Sequence, residues 1–473
     1  MKKIIFTALC ACSFAGYAEG LPDLGDISQE AISPQQERQI GEQSMFQIRA
    51  DKSYLDDAEI ADYLNSLGGT LVFNSSEPGQ PFEFFAINDN SINAFAMPGG
   101  FIGVNTGLIL TSQSESELAA VLSHEVAHVT QHHIARMISG QKFDSLASVA
   151  LIAAAILSAR SNPDAAMATV IGVQASGIQR QINFTRVHEQ EADRIGLAIL
   201  QKSGFDTRAM PVFFERLQKG TRLLEGNTPA YLRTHPVTNE RIADTANRVQ
   251  QIPYRPVASS LDYHLVRAKL QTMQKSPQEA ITYFNSALGE QKFGNPIAQR
   301  YGLVIALMKN RQMERAAEEF QPLRKHVQVN AMITTLAGKL RRAGAIKEAK
   351  INDFFLTSTQ NFPQHRALMY GYIEVLQQEK RYNEAVTLLN QQVAAHPNDP
   401  QLYEFQARTY SALGRNQEEH HALAYYNILH GNLRGAIEQL ELAKHTGKDF
   451  HELSTIETEL RQYREIAAAQ AKR

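Results

Sequence analysis

Apolar residues along this chain recur mainly at helical spacing, interrupted by short runs of strand type. In residues 117–134, Leu118, Leu122, Val126 and Val129 lie one turn apart and predict a helix with a buried side. Ala192, Ile195, Leu197, Ile199 and Leu200 give 186–200 the same character. Near the start, Ser33 and Pro34 supply a capping serine and a proline at the first helical position, and Ile40 begins an apolar series. A second helix is predicted over 58–67. Residues 82–87 read as a strand, being dense in aromatic and β-branched side chains after Pro81. Residues 92–110 hold short apolar strands separated by Pro98-Gly99-Gly100, which predicts a hairpin directly before the helix at 117–134. Leu217, Leu223 and Leu224 suggest further helical packing, and 241–249 reads as the last helix of this half.

Pro253 and Pro256 then interrupt the helical pattern, so 251–258 is a candidate linker. Beyond it the chain is continuously helical. Alanines return in similar settings at Ala280, Ala316, Ala349 and Ala385, in steps of 36, 33 and 36 residues. A period near 34 with paired helices indicates tetratricopeptide-type repeats, and such arrays stack into a solenoid whose concave face binds extended segments or partner proteins. Pro397 sits where a repeat ends, Ala407 and Gly414 begin another pair, and Ala436 reads as part of a further second helix that is out of step.

Composition changes this picture little. A chain of 473 residues is too long for one core, and 43% hydrophobic with 20% charged residues is ordinary for globular protein. The formal charge of -2 gives no basis for binding nucleic acid. The N-terminus changes it more. Lys2 and Lys3 precede a mostly apolar stretch over 4–14, and Gly16-Tyr17-Ala18 offers the small residues a signal peptidase reads, so 1–18 is expected to be a cleaved export signal. Both cysteines, Cys10 and Cys12, fall inside it, leaving the mature chain without thiols. A rival reading acylates Cys12 as a lipoprotein anchor. Either way the chain is exported, most simply to a bacterial periplasm.

The candidate chemistry lies in His124-Glu125-Val126-Ala127-His128. Residues four apart share a helix face, so two imidazoles can reach one ion. In this HExxH pattern they hold zinc, while the glutamate takes a proton from water. A catalytic site needs a third protein ligand. Glu189 and Asp193, 65 positions or more downstream of His124 and four apart, share a helix face. One carboxylate can bind the ion while the other orients a histidine. Glu191 reads as a solvated acid, and His132 and His133 as surface or supporting residues rather than ligands. The strand Asn93, Ala94, Phe95, Ala96, Met97 offers an edge against which an extended peptide can pair. The uncharged run 146–159 is 14 residues, short of the roughly 20 that span a bilayer. It reads as a buried or cleft-covering helix, with peripheral membrane contact left open.

Together, His124-Glu-Val-Ala-His128, Asn93-Ala-Phe-Ala-Met-Pro-Gly-Gly100 and Glu189-Gln-Glu-Ala-Asp193-Arg-Ile-Gly196 resemble the zinc metallopeptidase family that includes the CAAX prenyl proteases. The resemblance implies one zinc ion on His124, His128 and Glu189, Glu125 as general base, and Asp193 as a proton donor or a partner of a ligand. Thr234-His235-Pro236 through Glu240-Arg241-Ile242 also resembles a family element. His235 is then either an oxyanion stabiliser or a fourth zinc ligand displaced by substrate. The expected architecture is mostly α. A zincin-like metallopeptidase domain of helices plus a small β-sheet, residues 19–250, precedes an α-solenoid of tetratricopeptide-type repeats, residues 259–473. This layout resembles soluble, exported members of the family. It implies unfolded or stalled outer-membrane proteins and the barrel-assembly machinery as partners, in both degradation and maturation. The competing expectation is a repeat-based periplasmic chaperone or assembly scaffold with a latent or mainly structural metal site.

Overall fold

A computed structural model of the chain describes residues 32–139, 175–223, 229–290, 294–347, 350–447 and 450–471. The expected signal segment 1–18, the apolar run 146–159 and Ala349 lie outside the described residues. The first helix, α1 (Pro34–Ala50), starts on a capping box, in which Ser33 Oγ accepts the Gln36 amide and the Gln36 side chain accepts the Ser33 amide. Capped by Asp57, α2 (Ala58–Phe73) runs past the expected end at 67, because Leu71 and Val72 continue its buried stripe. Three strands follow, β1 (Glu83–Ile87), β2 (Ala94–Met97) and β3 (Phe101–Asn105), in the order β1-β3-β2. The hairpin β2-β3 turns through Gly99 and Gly100, whose φ angles of 77° and 85° only glycine adopts readily. Since β3 is central, β2 is left as an edge.

A short α3 (Thr106–Thr111) separates the hairpin from α4 (Glu115–Thr130), which carries the HExxH motif and is capped by Ser114. Instead of one buried side, α4 is buried all round from Glu115 to Ala127, because β2, α2 and two later helices pack on it. Those two are α6 (Ala175–Lys202) and α7 (Ala209–Leu223), and α5 (His133–Ser139) follows α4 directly. The α4–α6 crossing is close. A Cβ on Gly196 would lie 3.0 Å from the His124 backbone nitrogen, so glycine is what lets the second motif approach the first. Two smaller helices complete this half, α8 (Ala230–Thr234) and α9 (Asn239–Gln250).

Helix pairs build the second half: α10 (Leu261–Met273) with α11 (Pro277–Glu290), α12 (Pro296–Lys309) with α13 (Met313–Phe320), α14 (Ala331–Arg342) with α15 (Ile351–Asn361), and α16 (Arg366–Gln378) with α17 (Tyr382–Ala395). Next come α18 (Pro400–Ala412), α19 (Asn416–Leu429), α20 (Leu433–Thr446) and α21 (Phe450–Ala471). Ala280, Ala316 and Ala385 each sit in the first turns of a second helix, fully buried. Ala436 is equally buried but belongs to α20, the helix after the second helix α19, which explains why its spacing is out of step.

Residues 251–260 form no helix, yet packing does not divide the chain there. One hydrophobic core runs from Ile60, Leu118 and Phe213 through Tyr263 and Val266 to Leu336 and Leu340. Charged contacts cross the same seam. Lys269, buried, reaches Asp57 at 2.6 Å and Glu59, and Arg366 Nε reaches Asp62 at 2.6 Å. Further along, Gly431 at φ 69° packs against Phe46 and Ala50 of α1. The helix pairs of the second half therefore pack against the first half rather than trail from it. No helix among the described residues is long and apolar enough to cross a membrane.

Candidate metal centre

Two helices and one turn bring four side chains to a single buried point. His124 and His128 project from α4, Glu189 from α6, and His235 from the turn that ends α8. Their nearest donor atoms all lie within 4.8 Å of one another. His124 Nε2 is 3.0 Å from His128 Nε2 and 3.4 Å from Glu189 Oε2, and His128 Nε2 is 3.3 Å from Glu189 Oε1. His235 joins through Nδ1, 2.9 Å from Glu189 Oε1 and 3.4 Å from His124 Nε2. It is buried, so it is not an ordinary loop histidine. The turn is fixed by Tyr231, whose amide donates to the Ile92 carbonyl at 3.1 Å and whose ring stacks on His235 with centroids 4.8 Å apart.

Glu125 sits beside this group, fully buried. Its Oε2 accepts the Ala96 amide of β2 at 3.0 Å and its Oε1 is 3.5 Å from His235 Nε2. Asn93 O accepts the Asn105 amide, so in the alternating pattern of an antiparallel pair Asn93, Phe95 and Met97 turn their backbone groups toward β3. Of the five expected edge residues, Ala94 and Ala96 are therefore the two that face the open side.

Asp193 stands behind the cluster rather than in it. Its Oδ1 is 3.0 Å from His124 Nδ1, the ring nitrogen turned away from the other ligands. Arg241 of α9, with 3% of its surface exposed, holds the same carboxylate through Nε at 2.6 Å and Nη2 at 2.7 Å. Its Nη1 donates to Pro236 O at 2.8 Å and lies 2.8 Å from Glu189 Oε2. Between the roles open to Asp193, this geometry supports orienting His124 over donating a proton to substrate. Sequence reasoning gave Arg241 no part in the site. An arginine in an amphipathic helix normally reads as a solvated face.

The expectation for Glu191 is corrected. It is not a solvated acid: its Oε2 lies 3.1 Å from His133 Nε2 and accepts Arg136 Nη1 at 2.9 Å, with 23% of its side chain exposed. His133 is buried and its Nδ1 is 2.8 Å from His128 Nδ1. His132 reaches Glu77 Oε1 at 3.1 Å and Glu37 Oε2 at 3.7 Å.

Burial and neighbours pull the titrations apart. Burial alone would lower the His124 pKa, but Asp193 and Glu189 outweigh it and raise it to about 9. In His128 burial wins over Glu189, leaving it at about 4. Burial raises the Glu125 carboxyl above its ordinary value. Burial opposes the Glu189 charge too, yet the surrounding histidines hold it well below the usual carboxylate range. Asp193 is likewise lowered, as Arg241 and His124 overcome its burial.

The donor set fits a cation. Two imidazole nitrogens facing each other at 3.0 Å cannot both carry protons, Glu125 Oε1 is buried without a hydrogen-bond donor, and Glu189 Oε2 accepts no hydrogen bond although Arg241 Nη1 lies 2.8 Å away as an ion-pair partner. Converging acceptors of this kind are satisfied by a metal ion.

Fold and site together define a metallopeptidase joined to tetratricopeptide-type repeats. Comparison with known proteins agrees: residues 59–249 match Peptidase family M48 and residues 342–409 match a tetratricopeptide repeat. The chain is 34% identical over 452 residues to the beta-barrel assembly-enhancing protease of Escherichia coli (strain K12), covering 93% of this chain and 92% of the relative. It is 32% identical over 423 residues to the protein of the same name in Yersinia pestis, covering 88% and 86%. A mitochondrial metalloendopeptidase of Arabidopsis thaliana is 30% identical over 229 residues, 48% of this chain and 44% of that one. This chain belongs to Peptidase family M48, with a tetratricopeptide-repeat match following its peptidase match.

Proposed function

We propose that this chain is an exported, periplasmic zinc metalloendopeptidase that takes protein substrates through its repeats and acts in outer-membrane protein assembly and quality control. The observation that carries the chemistry is the convergence of unsatisfied acceptors on one buried point beside Glu125. Two histidines and one carboxylate suit zinc, and His124, His128 and Glu189 are the residues that would hold it. Once bound there, the ion would lower the pKa of a water and polarise a scissile carbonyl.

The other steps belong to the chain. Glu125 is anchored to the Ala96 amide, between the metal ligands and the edge strand. Its raised pKa suits a carboxylate that accepts a proton from water near neutral pH and returns it to the leaving amine. An extended substrate would pair with the open side of Ala94 and with the Ala96 carbonyl, placing its backbone beside Glu125. His235 lies between the candidate ligand Glu189, at 2.9 Å, and Glu125, at 3.5 Å, and this position supports a fourth ligand that substrate displaces. The names of the bacterial relatives support a role in barrel assembly, with unfolded or stalled outer-membrane proteins as substrates and the barrel-assembly machinery as partner. The N-terminal pattern of 1–18 supports export.

Glu125→Gln tests the mechanism. The variant is expected to keep its metal and to lose cleavage of an unfolded protein by a factor of about 10²–10⁴; undiminished cleavage would reject the role given to Glu125.

A further inference from the structure

The helix that carries the two histidines stops at Thr130, and His132 follows with φ 49°, a left-handed conformation that side chains other than glycine seldom adopt. Had α4 continued, residue 133 would lie about 140° around the helix from His128 and about 7.5 Å along it. The break instead folds His133 back until its Nδ1 is 2.8 Å from His128 Nδ1. The irregular turn is pinned by its own side chain, since His132 spans Glu77 and Glu37. An unfavourable backbone angle held at this point is accounted for by what it delivers.

We propose that His133 is a positioning residue for the metal site: backed by Glu191, it fixes His128 as the Nδ1–H tautomer and so turns the Nε2 lone pair toward the ion. This rests on the metal-centre reading above. The proton bookkeeping allows one pattern. His128 Nε2 faces Glu189 and His124, so to ligate it must be bare and the proton must be on Nδ1. His133 then accepts at Nδ1 and carries its own proton on Nε2, which donates to Glu191 Oε2 at 3.1 Å. Arg136 Nη1 donates to the same oxygen at 2.9 Å. His124 is served in parallel, its Nδ1 facing Asp193 directly. Helix α6 thus supplies three carboxylates two residues apart, Glu189 for the ion, Asp193 for one imidazole and Glu191, through His133, for the other.

His133 also stacks flat on His188, centroids 4.2 Å apart and planes 4° apart, so a pure packing role has to be separated from the proposed one. Two full-length variants do so, with zinc affinity read by competition against a chromophoric chelator. His133→Phe keeps the ring and deletes the acceptor. His133→Asn deletes the ring and keeps an acceptor where Nδ1 stood. The expected result is a zinc affinity about 10–100-fold weaker for the phenylalanine variant and within a few-fold of wild type for the asparagine variant. Undiminished affinity in the first, or a matching loss in the second, overturns the proposal. Glu191→Leu provides an arm that spares both rings while deleting the acceptor behind His133, and an affinity indistinguishable from wild type there also overturns it. Circular dichroism of the metal-free forms identifies any variant that fails to fold, for which Glu191→Leu decides. If the wild-type protein itself binds no zinc, the metal-centre reading is what fails.

Discussion

Replacing Arg241 by methionine should cost this protein far more than the loss of one surface cation. The guanidinium is 3% exposed and meets Asp193 through two bonds of 2.6 and 2.7 Å, with Glu189 a further 2.8 Å contact. Without it, Asp193 keeps only His124 as a partner among the described residues, and removing one member of such a buried pair typically costs about 3–5 kcal/mol. Asp193→Leu should be destabilising for the mirror-image reason, because Arg241 is then left buried with one carboxylate fewer. The double variant Arg241→Met with Asp193→Leu removes both charges and should lose less than the two singles together, by about 1–3 kcal/mol. The Arg241→Met penalty should also shrink when zinc is bound, because the ion then compensates the Glu189 charge. Urea unfolding followed by circular dichroism, with and without zinc, measures all of these. A cost below about 1 kcal/mol for Arg241→Met, or strict additivity in the double variant, would refute the reasoning.

The metal-free site should titrate through His124. Because a ligand must shed its proton, zinc affinity should rise by about tenfold per pH unit from pH 6 toward 9 and flatten above, with His128 at about 4 adding no slope in that range; a flat profile speaks against it. Since His124 is raised above its unfolded value of 6.5, its contribution to metal-free stability is fully present below that pH and is lost as pH rises through about 9, which urea midpoints across this window check. Gly196→Ala should push α6 off the His124 backbone and destabilise the fold by about 1–3 kcal/mol, with weaker zinc binding; normal affinity would show that the crossing tolerates a methyl. Gly431→Ala adds a Cβ 2.4 Å from Ala50 Cβ at a positive φ, and hydrogen exchange at the end of α1 should accelerate. His235→Ala should increase cleavage of a loosely folded substrate, whereas lost cleavage would assign the ring to the oxyanion.

The shared core changes how the repeats can be studied. Cutting the chain at 258 would strip Tyr263, Val266 and Leu270 from contact with the catalytic half and leave Lys269's partners, Asp57 and Glu59, without their cation. Deleting the repeats would therefore mix any loss of the proposed recruitment with a loss of stability, which point substitutions in the full chain avoid.

What the sequence determined is what local periodicity encodes. His124, Glu125 and His128 share one helix by spacing alone, Glu189 and Asp193 share another, and the return of buried alanines near every 34 residues specifies stacked helix pairs, because each pattern is complete within a turn or a repeat. The tertiary structure decided everything that depends on two such pieces meeting. Arg241 looks like a surface residue until α9 lays it between Asp193 and Glu189. Glu191 looks solvated until the left-handed turn at His132 swings His133 back against it, and no helical wheel contains that turn. The linker reads as a domain boundary because prolines are local signals, whereas the core that crosses it is assembled from residues some 200 positions apart. Spacing along one helix is fixed by covalent geometry, but which faces converge depends on burial and charge pairing summed over the whole chain. The candidate ligands and Asp193 behind them were therefore legible, and Arg241, Glu191 and His133 were not.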